Sequence, residues 1–388
     1  MKKLAIVTTH PIQYYAPFFQ ILAQQVSIKV FYSLGVSLQN KIDPGFGKVI
    51  EWDIPLLTGY EYCFAENKSK TPATNRFWGI NNLDIIKVID EYNPQAILVF
   101  GWSNFSHLKL MVCYKGKIPV WFRGDSTLLD NSGSGFSVIR NLCRKAALSI
   151  IYRFIDKAFY VGTNNRKYFE WAGVLKQKLV HAPHAIDNER FLENRTLEVI
   201  EFRKKLNIPQ DALLFLFAAK FEKKKDPMLL LRAFEKADTN GYLLIAGNGA
   251  LENQIRSFVV FMTKRDRVRI VDFQNQLNMP VLYQAADVYC LPSAGPGETW
   301  GLAVNEAMIS GCAICVSDKV GCAEDLVING LNGYIIKAGC TEDWAQVLSV
   351  YTDRELAKKQ GEKGREIARS FNYKIFVQRI VEQLELIN

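Results

Sequence analysis

The sequence predicts an α/β protein of two domains, each built on a parallel β-sheet, and three observations carry that prediction. The chain has 388 residues, too many for one ordinary core and suited to two domains of roughly 200 residues or fewer each. Short apolar runs such as Leu213–Ala218 and Tyr242–Ala246 lack alternation, the mark of strands buried on both faces. These runs alternate with longer helical patterns, and the alternation restarts near the middle of the chain, as expected for strand–helix–strand units with parallel sheets.

In chain order the first half gives strands at Leu4–Thr8 and Ile28–Tyr32 around a helix at Tyr15–Gln24, then a helix at Leu83–Glu91 and a strand at Ala96–Phe100. Strands at Pro119–Phe122 and Lys157–Val161 follow. The second half opens with Leu213–Ala218, then a helix at Met228–Lys236, the strand Tyr242–Ala246 and a helix at Leu251–Met262. A strand at Asp287–Pro292 leads through a Ser/Gly/Pro loop to a helix at Leu302–Ile309 closed by Gly311, and a strand at Ala313–Val316 follows. The boundary falls near Pro183–Phe191, giving domains of 1–187 and 188–372.

The stretch from Gly297 to Met308 places Glu298 and Glu306 eight positions apart around a glycine turn that enters a helix. Backbone N–H groups at the start of a helix have no intrahelical acceptor, and its dipole favours an anion. Trp300, Gly301 and Leu302 would therefore face a diphosphate, with Gly297 and Gly301 permitting close approach. Glu298 would accept hydrogen bonds from sugar hydroxyls and Glu306 from a ribose. Read alone, the two carboxylates are equally a solvated loop charge and a helix-start charge. Lys220, just past a buried strand, and Lys225 would neutralise a leaving diphosphate, whereas Lys223 and Lys224 read as a solvated charge run. Gly247-Asn248-Gly249 has Glu252 where a dinucleotide fingerprint needs its third glycine.

Residues Phe273–Gly339 resemble the donor half of family 4 glycosyltransferases, retaining enzymes of the GT-B fold. The likeness is carried by Ala286-Asp287-Val288, Pro292-Ser293, Gly297-Glu298, Asn305-Glu306-Ala307-Met308, Gly311, Ser317-Asp318, Gly321, Asp325-Leu326-Val327 and Asn332-Gly333, and extends upstream through Phe217–Phe234. The resemblance implies two Rossmann-like domains facing each other across a cleft, with a C-terminal helix, 373–388, crossing back onto the first. It implies a donor site of Glu298, Glu306, Lys220, Lys225, Gly247, Gly297, Thr299, Trp300, Gly301 and Leu302. It also implies a hexosyl transfer in which the departing phosphate takes the acceptor proton, in cell-surface polysaccharide or lipopolysaccharide synthesis. Lys220 stands where Arg is commoner in the family, and Lys lacks Arg's bidentate fork. Asp125 stands where family members commonly carry His, so Asp125 is expected to shape the reacting centre beside Glu298, Lys220 and Lys225.

The first domain is expected to hold the acceptor, a saccharide or lipid-linked saccharide. His10 either touches the acceptor or phosphates or packs in its turn; Trp102 either stacks on a sugar or belongs to the core. Arg123 either binds a phosphate or pairs with Asp125 without chemistry. A nucleotide-sugar hydrolase or epimerase, and a non-catalytic binding module, stay open beside the transferase.

No Asp-x-Asp pair is present to hold a divalent ion, so no metal and no cofactor beyond the nucleotide-sugar co-substrate is expected. Cys312 and Cys315 lack a second ligand pair at zinc spacing and read as packing. Eight unpatterned cysteines fit a reducing cytoplasm. The net charge of +9 is concentrated partly in Ser137–Lys157, where Arg140, Arg144, Lys145 and Arg153 alternate with apolar residues. That pattern suits either an anionic membrane surface or a surface helix with its apolar stripe in the core. No recognition motif for nucleic acid accompanies the charge. No apolar run approaches the roughly 20 residues that span a bilayer, so any contact at the inner face of the membrane is expected to be peripheral.

Overall fold

The computed structural model describes residues 2–36, 42–43, 48–49, 52–130 and 135–387. It contains two compact units: Met1–Asn40, Ile54–His184 and Tyr373–Asn388 form the first, and Lys41–Asp53 with Ala185–Asn372 the second. The sequence expectation ran the first domain unbroken to residue 187. Trp52 and Asp53 instead belong with the second unit, where the Trp52 ring lies 6.5 Å from that of Phe273 and Asp53 accepts the Leu277 N–H at 3.1 Å.

The strands are, in order, β1 (Lys3–Thr8), β2 (Ser27–Tyr32), β3 (Ile42–Asp43), β4 (Lys48–Val49), β5 (Glu61–Phe64), β6 (Ala96–Phe100), β7 (Val120–Arg123), β8 (Lys157–Tyr160) and β9 (Leu179–His181). They continue as β10 (Leu214–Ala218), β11 (Tyr242–Ala246), β12 (Val268–Val271), β13 (Val288–Leu291), β14 (Ala313–Ser317) and β15 (Gly333–Ile336). The first unit's sheet runs β5-β2-β1-β6-β7-β8-β9 and the second's β12-β11-β10-β13-β14-β15. Every pairing in both is parallel, while β3 and β4 form a short antiparallel ladder.

Helices on both faces bury the inner strands, which explains their unbroken apolar sequence. Leu4, Ala5, Ile6 and Val7 of β1, and Leu214 to Phe217 of β10, are fully buried. In the first unit the C-terminal helix Tyr373–Glu385 joins the core by stacking Phe376 on Phe18 with ring centroids 4.0 Å apart. Strand order reverses between β1 and β6 in the first sheet and between β10 and β13 in the second. Such switch points open a crevice beyond the carboxyl ends of the strands, where ligands bind in open α/β sheets.

Cys312 and Cys315 lie in the second unit's core, where their thiols donate toward the Tyr283 carbonyl at 3.2 Å and the Tyr351 hydroxyl at 3.7 Å. They pack, as an apolar environment for small polarisable side chains allows.

Candidate functional site

In the second unit, Lys220 follows β10 and the 292–301 loop follows β13, so both stand at the switch point. The local sequence fixes Lys225. Asp226, in the left-handed region at φ 46°, caps the helix Pro227–Lys236 by accepting the Leu229 N–H at 3.0 Å, and Pro227 occupies the first helical position. The preceding Lys223–Lys225 forms a single 3-10 turn, onto which the Ala294 N–H docks through the Lys224 carbonyl at 2.8 Å.

This docking brings the Lys225 ammonium onto Glu298, with which it forms an ion pair. Ser293 Oγ donates to the same Glu298 oxygen, Oε2, at 2.9 Å. Glu298 is only 8% exposed, so the pairing neutralises a carboxylate that burial alone would disfavour. The loop is fastened from behind: the Gly321 N–H reaches the Glu298 carbonyl at 2.9 Å and the Cys322 N–H the Trp300 carbonyl at 3.0 Å.

Gly301 takes φ 98° as it enters the helix Leu302–Ser310, and a Cβ there would meet Val320 at 3.0 Å. Leu302 lies in that helix's first turn, where N–H groups point outward along the axis. The Trp300 indole is buried and donates to Asn305 Oδ1 at 2.8 Å. The indole is therefore structural, and any ligand contact at this position falls to the backbone. Glu306 is 1% exposed and accepts the Tyr283 hydroxyl at 2.8 Å on Oε2, which fixes the carboxylate's orientation.

Tyr289 of β13 donates to the Ala218 carbonyl at the end of β10 at 3.3 Å. Burial, and then the fields of Glu298 and Glu306, raise its pKa well above that of an ordinary phenol, so it stays a donor between the two carboxylates. The Gly247-Asn248-Gly249 loop packs on Ala219–Phe221 beside Lys220, for the Phe221 N–H reaches the Asn248 carbonyl at 3.0 Å. A Cβ on Gly247 would lie 2.1 Å from the Ala219 carbonyl oxygen.

In the first unit, Arg123 ends β7 and is 2% exposed. Its guanidinium donates to the carbonyls of Ala182 at 2.8 Å and Pro183 at 3.4 Å and lies 3.9 Å from the Phe376 ring centroid. Burial lowers its pKa to about 10 and lifts that of neighbouring Tyr15 to about 12. These contacts tie β7 to the segment after β9 and to the C-terminal helix.

Asp125 is half-exposed, its Oδ2 3.9 Å from Nε2 of His184. His184 comes from the segment beyond β9 and is itself buried. Trp102 is half-buried and packs against the first unit's core. His10 is exposed at the end of β1, its Nδ1 2.8 Å from Thr9 Oγ1.

Sequence reasoning missed Tyr15, His184, Tyr283 and Tyr289, and gave Ser293 no role beyond its part in the resemblance. The first four carry no motif; the fold brings each to a partner distant in the chain.

Burial lowers the pKa of His184 and of His107, which lies in the first unit between the Gly101 carbonyl at 3.0 Å and Ser33 Oγ at 2.7 Å. A depressed histidine pKa means that, as pH falls below the ordinary 6.5, the unfolded chain takes up protons that the folded chain refuses. Stability should therefore drop toward acid by up to about 1.4 kcal/mol per pH unit for each histidine. Denaturant unfolding at about pH 7.5 and about pH 5.5 checks this; equal midpoints would mean that both imidazoles charge freely in the fold.

Residues 198–367 match the model of the glycosyl transferases group 1 family. A D-inositol 3-phosphate glycosyltransferase of Streptosporangium roseum is 30% identical over 164 residues, covering 39% of this chain and 37% of that protein. The O-antigen biosynthesis glycosyltransferase WclY of Escherichia coli is 26% identical over 184 residues, covering 47% and 49%. The chain thus spans less than half the length of these curated relatives. Among solved structures, Anabaena HepE in complex with UDP and glucose superposes with a TM-score of 0.72 at 15% identity, covering 99% of this chain and 100% of that one. The two α/β units are those of the GT-B fold.

Proposed function

We propose, from the match of residues 198–367 to the model of glycosyl transferases group 1, that this chain is a retaining glycosyltransferase. It moves a hexosyl group from a nucleoside diphosphate to an acceptor hydroxyl without a metal ion. The observation that carries this reading is the meeting of the Lys225–Glu298 ion pair with the start of the Leu302–Ser310 helix beyond β10 and β13. Without donor, lysine and glutamate neutralise each other. A diphosphate would draw the ammonium to itself and to Lys220, and Glu298, still held by Ser293, would turn to the sugar hydroxyls. Glu306, oriented by Tyr283, would accept from the ribose. The departing phosphate would take the acceptor's proton, and Asp125, with His184 behind it, would shape the acceptor side.

The O-antigen relative supports a role in cell-surface polysaccharide or lipopolysaccharide assembly. A saccharide or lipid-linked saccharide acceptor, met from a peripheral seat at the inner face of the membrane, belongs to the same reading.

The first experiment is thermal stabilisation by a panel of nucleoside diphosphates, with UDP at its head because the Anabaena structure holds it. A ligand at about 100 times its dissociation constant should add about 2.7 kcal/mol. The expected result is a shift for one nucleotide that persists in EDTA and is weakened in Glu306→Ala. A shift abolished by EDTA would refute metal independence, and no shift for any nucleotide would refute the donor site. Donor consumed as fast without acceptor as with it would assign hydrolysis instead.

A further inference from the structure

The helix Gly135–Ile151 of the first unit is turned the opposite way from an ordinary surface helix. Val138, Ile139, Leu142 and Ile150 are 51, 64, 61 and 57% exposed, whereas Leu148 is 1% exposed. At about 3.6 residues per turn, the four exposed residues share one stripe and Leu148 falls on the opposite side. Of the two alternatives the sequence left for this helix, a stripe in the core holds for Leu148 alone; Val138, Ile139, Leu142 and Ile150 face outward.

The flanks of that stripe are basic. Lys145 borders one edge and Arg140 lies beyond the other, with Arg144 on the far side toward Leu148 and Arg153 in the turn that follows, and no Asp or Glu occurs from Gly135 to Ile155. Arg144 is held on that far side by the Tyr168 ring, 5.3 Å from its guanidinium carbon. An isolated amphipathic helix is marginal in water, and its stability comes from whatever covers its apolar face. A cover for this face must accept aliphatic side chains in the middle and offer negative charge at both edges. Hydrocarbon beneath a layer of acidic headgroups has that arrangement. Among the described residues no helix is long and apolar enough to cross a membrane, so the contact lies in the plane of the interface.

We propose that the outward face of the Gly135–Ile151 helix, carrying Val138, Ile139, Leu142 and Ile150 between Arg140 and Lys145, seats the chain on an anionic lipid surface. This deepens the reading above by naming where a lipid-linked acceptor would be met. Its test uses neither donor nor acceptor, so either idea can fail without the other.

The experiment is flotation of the full chain with vesicles of phosphatidylcholine, alone or mixed with phosphatidylglycerol. The parent chain should float with the mixed vesicles, weakly with phosphatidylcholine alone, and less as salt is raised. Ile139→Ser/Leu142→Ser should lose roughly tenfold or more in partition, and Arg140→Glu/Lys145→Glu a similar factor. All four positions are exposed, so thermal melts should match the parent. The charge-matched control Lys204→Glu/Lys205→Glu, on an exposed part of another helix in the second unit, should bind as the parent does. Absence of the parent from mixed vesicles, undiminished binding of the helix variants, or equal loss in the control would each overturn the proposal. So would a parent dimer in light scattering that the serine variant splits while vesicle binding stays unchanged, for the face would then cover a second copy of the chain.

Discussion

Glu298→Gln should lower turnover by roughly 10²–10³-fold while leaving the melting temperature near that of the parent chain. The substitution keeps the shape of the side chain and both of its contacts in kind, since an amide oxygen still accepts from Ser293 Oγ and from the Lys225 ammonium. What it removes is the negative charge. If Glu298 holds the sugar more tightly as positive charge develops at the reacting carbon, the loss appears in kcat with KM little changed. The readout is nucleoside diphosphate released from the donor picked out by thermal stabilisation. Lys225→Ala supplies the second arm, because the ammonium pairs with Glu298 and, on the proposed reading, would turn to the diphosphate when it arrives. The two substitutions should then be strongly non-additive in kcat/KM, as expected for residues in direct contact. Additive losses would mean that the ion pair is only a structural tie. Full activity in Glu298→Gln would remove the carboxylate from the mechanism.

The inner strands of both sheets were legible because burial on both faces forces an unbroken apolar run: Leu4–Thr8, Ala96–Phe100, Leu213–Ala218 and Tyr242–Ala246 each lie within a residue of where they were expected. The four missed strands of the two large sheets, β5, β9, β12 and β15, are the edges of those sheets. An edge strand has one neighbour, is half open to water, and tolerates the Glu61, His181 and Arg269 that blur its pattern. The donor loop was legible because Gly301 and Gly311 mark the two ends of one helix with positive φ. The Lys225–Glu298 pair joins positions 73 residues apart, and His184 reaches Asp125 from beyond β9. No periodicity encodes such distances; they follow from the parallel topology. For the basic helix the sequence showed amphipathicity but not direction, because either stripe of a helix satisfies the same wheel until a neighbouring core selects one.

Asp287→Ala should destabilise the fold by about 3–5 kcal/mol, the cost of stripping a buried charge of its partner. Asp287 belongs to the segment through which the sequence resembles a glycosyltransferase donor half, yet its contacts are those of scaffold. Its Oδ2 accepts the Leu214 N–H at the start of β10 at 2.8 Å and Nη2 of Arg203 at 3.2 Å, while Oδ1 accepts Nε of Arg354 at 2.7 Å. Arg203 is 2% exposed, with its remaining donors on the carbonyls of Ala285, Pro209, Gln210 and Ala212. Those dipoles satisfy its hydrogen bonds but not its charge; burial lowers the Arg203 pKa, and Asp287 is the foremost influence opposing that fall. Arg354 is 42% exposed, so its loss of a partner adds little. Asp287→Asn should cost less, since it keeps an acceptor for Leu214. Urea midpoints at matched m-values measure both, and a loss under about 1 kcal/mol for the alanine variant would show that Arg203 is content with carbonyls alone. Asp287 sits at the amino ends of β10 and β13, whereas Lys220 and Glu298 lie beyond their carboxyl ends. The weakened protein should therefore still be stabilised by the same nucleotide, which separates a residue that holds the two strands together from those that use the crevice they form.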